Sequence, residues 1–236
     1  PYGARRWRGL SVFSIFLLNG AAFGTGPLFY KEAFFMADCK DYGFMTRALH
    51  AGWDCDPATG ALGLPIYATA AYQFHDGAHA ERLFNLEEEG FTYSRIANPT
   101  VKAFEDTLAS LESGVGAVAL ASGQAALSHI AAALCEAGTN VVLSRKVYGG
   151  TLTFLQNLLT RFGVEVIMVD GDHPCQVEQA INDETRAIFT ETIGNPIINV
   201  APLAALSRIA RRQGVPLVVD NTFAAPALCR PLPCGA

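Results

Sequence analysis

One carboxylate stands at the end of an apolar segment, where the folded chain is expected to bury it. Leu217, Val218 and Val219 run directly into Asp220, and this run is typical of a strand that is covered on both faces. A buried charge without a partner is costly, so Asp220 needs a partner that the apolar strand does not supply. Asp220 is therefore the first candidate site residue.

Three other stretches place polar or aromatic residues directly after an apolar run. Residues 122–124 (Ser-Gly-Gln) open a predicted helix, whose free backbone amides either bind an anion or simply form a capped helix start. Tyr148 precedes two glycines, so its ring could stack on a flat ligand or could close a turn. Asn195 precedes Pro196, and taken alone this pair favours a structural Asx turn.

These residues follow the strands of a repeating strand and helix pattern that begins near Asn98. The predicted strands are the apolar runs 116–121, 140–144, 164–170, 186–192 and 216–222. Asn98 and Pro99 are typical of a helix start, and Gly214 of a helix end. The alternation predicts an α/β fold with a mainly parallel sheet, and ligands bind such sheets at the carboxyl ends of the strands.

Composition excludes several classes of function. The chain has 236 residues, about half of them hydrophobic, which suits one or two globular domains. A formal net charge of -5 and the lack of a dense basic patch argue against nucleic acid as a partner. The six cysteines and five histidines show no metal-ligand spacing, so we expect free thiols, a reducing compartment and no metal.

Five motifs occur in the order and at the intervals found in one enzyme family. They are "TYSRIANPT" (92–100), "ASGQAA" (121–126), "VYGGT" (147–151), "ETIGNP" (191–196) and "VVDNTFAAPALCRP" (218–231). From about residue 44 to residue 236 the sequence resembles the pyridoxal-phosphate (PLP) enzymes of Cys/Met metabolism. Residues 46–74 and "ETIGNP" are more similar to the O-acetylhomoserine sulfhydrylase branch than to the cystathionine γ-synthases and γ-lyases.

The resemblance implies a fold-type I PLP-binding domain, with helices on both faces of its sheet, and a role for each candidate residue. Asp220 would pair with the protonated ring nitrogen of the cofactor, which provides the partner that the strand lacks. Tyr148 would stack on the ring, and Asn195 would contact the ring oxygen. The residues implied to bind the cofactor phosphate within the subunit are Ser122, Gly123 and Gln124.

The resemblance also implies a homo-oligomer, either a dimer or a tetramer, with shared active sites. Tyr93 and Arg95 match residues that reach the phosphate of a neighbouring subunit, a task that suits the forked guanidinium of Arg. Residues 36–97 would form an N-terminal arm at the subunit interface, and residues 98–236 would form the first part of the PLP-binding domain.

The implied reaction is a γ-replacement on O-acetylhomoserine, in which sulfide or a thiol displaces acetate and homocysteine forms. The family's Schiff-base lysine belongs to a stretch that would follow the "GA" at residues 235–236. The lysines of this sequence, none of which stands in such a context, are Lys31, Lys40, Lys102 and Lys146. We therefore expect the sequence to be an N-terminal part of the enzyme, without its C-terminal domain or a catalytic residue, and inactive as a fragment.

Residues 1–35 differ from the rest. A basic stretch followed by an apolar run is signal-like, but Met36 is a plausible start, so we interpret residues 1–35 as a non-native or upstream-derived extension and expect a cytoplasmic protein without a membrane span. The alternative of another class is a Rossmann-like nucleotide-binding module. Against it, no GxGxxG motif follows the first predicted strand.

Overall fold

A computed structural model describes residues 42–236 and the strand at 14–18. Apart from that strand, the predicted extension of residues 1–35 lies outside the described residues. The strands are β1 (Ser14–Leu18), β2 (Gly116–Leu120), β3 (Asn140–Ser144), β4 (Glu165–Val169), β5 (Thr185–Glu191) and β6 (Leu217–Asp220). The helices are α1 (Phe44–His50), α2 (Gly77–Phe84), α3 (Pro99–Glu112), α4 (Gly123–Leu134), α5 (Gly149–Arg161), α6 (Pro174–Ala180), α7 (Leu203–Gln213) and α8 (Ala225–Leu228).

Four strands form a parallel sheet in the order β4, β3, β5, β6. Because all four run the same way, their carboxyl ends meet at one edge, which we call the carboxyl edge. The predicted run 116–121 does form a strand, β2, but it pairs with β1 in a separate two-stranded sheet. The parallel sheet is therefore built from the other four predicted runs.

Helices cover both faces of the parallel sheet, and successive side chains of each strand point to opposite faces. Val141 and Leu143 of β3 pack with α4 and α5, whereas Val142 between them packs with α6 and α7. In β5, Phe189 faces α4 and α5 while Ile188 faces the other layer. This arrangement explains why the strands read as unbroken apolar runs, and it confirms the predicted α/β architecture.

Local signals set the ends of the helices as predicted. The side chain of Asn98 accepts a hydrogen bond from the backbone N–H of Thr100 at 2.9 Å, and Pro99 occupies the first turn of α3. Gly214 ends α7 with a φ of 70°, a left-handed conformation that favours glycine. In the turn that follows Asp56, its carboxylate accepts the backbone N–H of Ala58 at 2.7 Å.

The described residues divide into two compact units, residues 42–117 and residues 118–236 with the strand at 14–18. In the first unit α1 packs against α3, and the hydroxyl of Thr107 in α3 donates to the backbone oxygen of Ala51 at 2.6 Å. Across both units, no described helix combines the length and the apolar character that crossing a membrane requires.

Candidate active site

Asp220 is the last residue of β6 and lies at the carboxyl edge. Because Val218 packs on the α4 and α5 layer, the alternation of the strand turns the Asp220 side chain towards that same face. One carboxylate oxygen accepts the backbone N–H of Thr222 at 2.9 Å and its hydroxyl at 2.5 Å. Asp220 is only half-buried. Its carboxylate therefore remains partly available for a further hydrogen bond at the carboxyl edge.

A second carboxylate, which the sequence analysis did not single out, lies beside Asp220. Glu191 ends β5, is directly in register with Asp220, and is only 7% exposed. Its Oε1 accepts the backbone N–H of Tyr148 at 2.7 Å, and the backbone N–H of Asn195 lies near enough to lower the pKa of the carboxyl. Three of the predicted site residues therefore surround one buried side chain.

Burial decides the protonation of Glu191. Desolvation raises the pKa of its carboxyl from 4.5 to about 7, the N–H of Tyr148 opposes that rise, and the charge of Asp220 adds to it. At neutral pH the Glu191 side chain is thus close to half-protonated. Repulsion between the two carboxylates is relieved whenever Glu191 carries its proton.

Tyr148 stands at the start of α5, where its backbone oxygen accepts the N–H of Thr151 at 2.9 Å. Tyr148 does close a turn, as one of the two interpretations of the sequence held, yet its side chain is 51% exposed. A Cβ added to Gly150 would lie 2.3 Å from the Tyr148 ring, so glycine leaves the space that the ring occupies. The ring is thus available to stack on a flat ligand.

Asn195 belongs to a loop that returns on itself between Thr192 and Ala201. The loop closes through backbone hydrogen bonds, including Gly194 N–H to Asn199 O at 2.9 Å, and the Asn195–Pro196 peptide is cis. Within the described residues the side chain of Asn195 makes no hydrogen bond, so the expected structural Asx turn is not formed. Its side chain is half-buried and remains available to a ligand.

A charged network ties this loop to two other strand ends. Lys146 Nζ lies 2.9 Å from Asp170 and 2.7 Å from Asp172, and the Asn199 side-chain amide donates to Asp172 at 2.8 Å. These residues follow β3, β4 and β5, so the network holds three loops of the carboxyl edge together. We call it the Lys146 network.

The start of α4 is built as the sequence predicts. Ser122 caps the helix by accepting the N–H of Ala125 at 3.1 Å. Since α4 leads into the amino end of β3 and packs on the face that Asp220 points to, its first turn, with Gly123 and Gln124, lies towards the carboxyl edge. The side-chain oxygen Oε1 of Gln124 is one of several buried polar atoms that have no hydrogen-bond partner within the described residues.

Tyr93 and Arg95 belong to the other compact unit, residues 42–117. Ser94 between them is held inside the unit, where its backbone N–H donates to Ala70 O at 2.8 Å. The side chains of Tyr93 and Arg95 are exposed, and the guanidinium carbon of Arg95 lies 5.7 Å from the centre of the Tyr93 ring. No ion pair of Arg95 occurs among residues 42–236.

The residues at the carboxyl edge fit PLP group by group. A carboxylate suits the protonated ring nitrogen, an exposed aromatic ring suits the flat face, and the backbone N–H groups of a capped helix start suit the phosphate. The Asp220 carboxylate and the Tyr148 backbone are held by hydrogen bonds before any ligand binds, which is what a preorganised site needs.

Sequence reasoning missed Glu191, Asn199 and Thr222. Glu191 and Asn199 both stand within or next to the "ETIGNP" segment, and Thr222 follows Asp220 by two residues. A signal for Glu191 did exist, because it ends an apolar strand in the same way as Asp220. The signal for Asn199 was absent, since its partner Asp172 lies 27 residues away in the sequence.

Comparison with known proteins agrees with this geometry. Residues 45–236 match the model of the family described as Cys/Met metabolism PLP-dependent enzyme. The chain is similar to an O-acetyl-L-homoserine sulfhydrylase of Corynebacterium glutamicum, with 44% identity over 201 residues, 85% of this chain and 46% of the relative. It is also similar to a homocysteine synthase of Schizosaccharomyces pombe, with 43% identity over 82% of this chain and 45% of the relative. The chain therefore spans about half the length of these curated relatives.

Solved structures with the same fold include enzymes of two branches. A Campylobacter jejuni protein assigned as an O-acetylhomoserine (thiol)-lyase, solved with N′-pyridoxyl-lysine-5′-monophosphate, superposes with a TM-score of 0.80 at 36% identity, over 83% of this chain and 48% of that one. A cystathionine γ-lyase of Lactobacillus plantarum superposes with a TM-score of 0.75 at 33% identity, over 83% of this chain and 49% of that one.

Proposed function

The chain belongs to the family of Cys/Met metabolism PLP-dependent enzymes, and from that premise we propose that it carries the cofactor-binding half of an O-acetylhomoserine sulfhydrylase. The observation that carries the proposal is the grouping of Asp220, Tyr148 and Asn195 around the buried carboxylate of Glu191. Relatives at 43–44% identity that are named O-acetyl-L-homoserine sulfhydrylase and homocysteine synthase support the substrate. The proposed reaction of the whole protein replaces the acetate of O-acetylhomoserine by sulfide or a thiol.

The residues of this chain bind and orient rather than react. Asp220 would hold the protonated ring nitrogen in a charge-assisted hydrogen bond, Tyr148 would cover one ring face, and Asn195 would contact the ring oxygen. When bound, PLP supplies an electron sink for the carbon atoms of the amino-acid substrate. The groups proposed for the phosphate are Ser122, Gly123 and Gln124.

The proposal includes the assembly and the location. Tyr93 and Arg95 would contact the phosphate of a neighbouring subunit in a homo-oligomer, and residues 36–97 would form the arm that carries them there. Their exposed side chains on a firmly held backbone support this role. We place the protein in the cytoplasm, where a small amino-acid substrate and reduced thiols suit its scattered cysteines.

Two alternatives are less well supported. A cystathionine γ-synthase or γ-lyase of the same family is one, but the γ-lyase structure is 33% identical to the chain, against 36% for the thiol-lyase structure and 43–44% for the two curated relatives. The nucleotide-binding alternative conflicts with the family match over residues 45–236. Full-length protein incubated with O-acetylhomoserine and sulfide should produce homocysteine. Cystathionine as the main product with cysteine would contradict the sulfhydrylase assignment.

A binding experiment tests the cofactor site directly. Pyridoxine 5′-phosphate carries the ring and phosphate of PLP without the aldehyde, so it cannot react with surface lysines. We expect Asp220→Asn to weaken its binding by roughly 10- to 100-fold, as for a lost hydrogen bond to a charged group. Asp183→Asn, at an exposed position before β5, is the matched control and should bind as the wild type does. Absence of saturable binding by the wild type, or equal binding by Asp220→Asn, would refute the site.

A further inference from the structure

Glu191 lies beside the backbone of two proposed ring-binding residues. Its carboxylate accepts the N–H of Tyr148 at 2.7 Å, and the N–H of Asn195 lies near enough to lower the pKa of the same carboxyl. Tyr148 lies on the loop after β3, whereas Asn195 lies on the loop after β5. A single side chain thus links two loops that are separate in sequence.

We infer that Glu191 is a positioning residue for the cofactor ring, which holds the Tyr148 ring and the Asn195 side chain at the spacing that a pyridine ring requires. The inference rests on the proposed function, because it presumes that those two residues contact the cofactor. Glu191 itself need not touch the ligand. Its hydrogen bonds run to backbone groups, and its side chain is only 7% exposed.

The geometry explains why a carboxylate, rather than an apolar residue, ends this buried strand. Tyr148 begins α5, so its backbone N–H has no partner within that helix. A buried N–H without an acceptor is costly, and Glu191 supplies the acceptor from β5. Without it, the start of α5 would have to move towards water, and the Tyr148 ring would move with it.

The protonation of Glu191 offers a readout that a purely structural contact would not change. Burial raises the pKa of Glu191 to about 7, and Asp220 of β6 is the charged group that adds to the rise. Tyr148 and Asn195 face Glu191 with backbone N–H groups, and Lys146, on the same loop as Tyr148, pairs with Asp170 and Asp172. The amide of Tyr148 should therefore sense the titration of Glu191.

The first experiment needs no ligand. The chain contains seven tyrosines, so a sample labelled with ¹⁵N-tyrosine gives a short spectrum, in which Tyr148→Phe identifies the Tyr148 amide. We expect that amide signal to shift with pH with a midpoint near 7 in the wild type and to stay constant in Glu191→Gln. A Tyr148 amide that does not titrate in the wild type, or that titrates equally in Glu191→Gln, would overturn the inference.

The second experiment measures binding of pyridoxine 5′-phosphate. Glu191→Ala should weaken binding about tenfold, a loss on the scale of one or two hydrogen bonds, while Glu191→Gln, which keeps the acceptor oxygen, should restore it to within about threefold. Glu165→Ala, at the exposed amino end of β4, is the matched control. Urea unfolding of each variant confirms that the compared proteins are folded.

The outcomes separate the two proposals. Equal binding by the wild type and a folded Glu191→Ala overturns the positioning role and leaves the proposed function intact. A wild type that does not bind pyridoxine 5′-phosphate at all refutes the proposed function, and the positioning role falls with it. Weak binding by Glu191→Ala together with recovery in Glu191→Gln supports both.

Discussion

Two adjacent glycines at the start of α5 provide a matched test of the proposed stacking role of Tyr148. A Cβ at Gly149 would meet nothing within 4 Å, whereas a Cβ at Gly150 would lie 2.3 Å from one Tyr148 ring carbon and 3.0 Å from two others. An ordinary contact begins at 3.4 Å, so Gly150→Ala must displace the ring by at least about 1 Å. Gly149→Ala leaves the ring where it is.

Both substitutions should have small effects on folding. Replacing a helical glycine by alanine stabilises a protein by roughly 0.5–1 kcal/mol. In Gly150→Ala the moved ring can offset that gain, since an unfavourable side-chain rotamer costs about 0.5–1.5 kcal/mol. The ring is 51% exposed, so it can retreat into solvent without disturbing the core. The two variants should therefore differ in their free energy of unfolding by about 0.5–1.5 kcal/mol.

Binding should separate them more clearly. A stacked aromatic pair contributes about 0.5–1.5 kcal/mol beyond the area it buries, and a ring displaced by about 1 Å loses most of that contribution. Gly150→Ala should thus weaken binding of pyridoxine 5′-phosphate by about 2- to 10-fold, and Gly149→Ala should leave it unchanged. Fluorescence titration of the ligand measures binding. Urea unfolding measures the free energy of unfolding of each variant.

A double-mutant cycle identifies the cause. If Gly150→Ala acts through the Tyr148 ring, it should have no further effect on binding once Tyr148 is replaced by alanine. An equal loss of binding in both glycine variants would refute the reasoning. So would a loss from Gly150→Ala that persists in the Tyr148→Ala background, because the ring would then not be the mediator.

Two further predictions concern stability. The folded-state pKa of Glu191 is about 7, against an ordinary 4.5. The stabilisation that this shift gives to the folded state is therefore fully present below pH 4.5 and is lost as the pH rises through 7. Between pH 5 and 8 the wild type should lose about 2.5 kcal/mol of unfolding free energy relative to Glu191→Gln, as measured by urea titration, and parallel pH profiles would contradict this. Gly194→Ala places a Cβ 2.3 Å from both the Lys146 backbone oxygen and the Asn199 side chain. This substitution should lower the melting temperature and reduce the free energy of unfolding by about 1–3 kcal/mol. Gly149→Ala should not lower the melting temperature. An unchanged melting temperature in Gly194→Ala would show that the loop can move to accept the Cβ.

Much of the sheet could be predicted from local patterns. The apolar runs predicted at 140–144 and 164–170 coincide with β3 and β4 to within one residue, and Gly214 ends α7 as expected. These features follow from short-range rules, since a strand covered on both faces must be apolar throughout and a left-handed helix end favours glycine. The positions of Asp220 and Tyr148 at strand and helix ends are equally readable in the sequence.

The pairing of β2 could not be read in the same way. Its sequence predicts a strand, yet the choice of a hydrogen-bonding neighbour depends on which other strand is placed beside it in space. The structure pairs it with β1 rather than with the parallel sheet. An apolar run therefore indicates that a strand forms, but the tertiary structure determines which strand it pairs with.

The central residue of the site shows where sequence reasoning ends. The sequence by itself determined that a carboxylate, an aromatic ring and amide donors would follow buried strands, because periodicity and turn chemistry are local. Only the tertiary structure decided that Glu191 would lie in register with Asp220 and accept the backbone N–H of Tyr148, 43 residues away. Its raised pKa has the same origin, since desolvation and the charge of a neighbour depend on distances that exist only after the chain has folded.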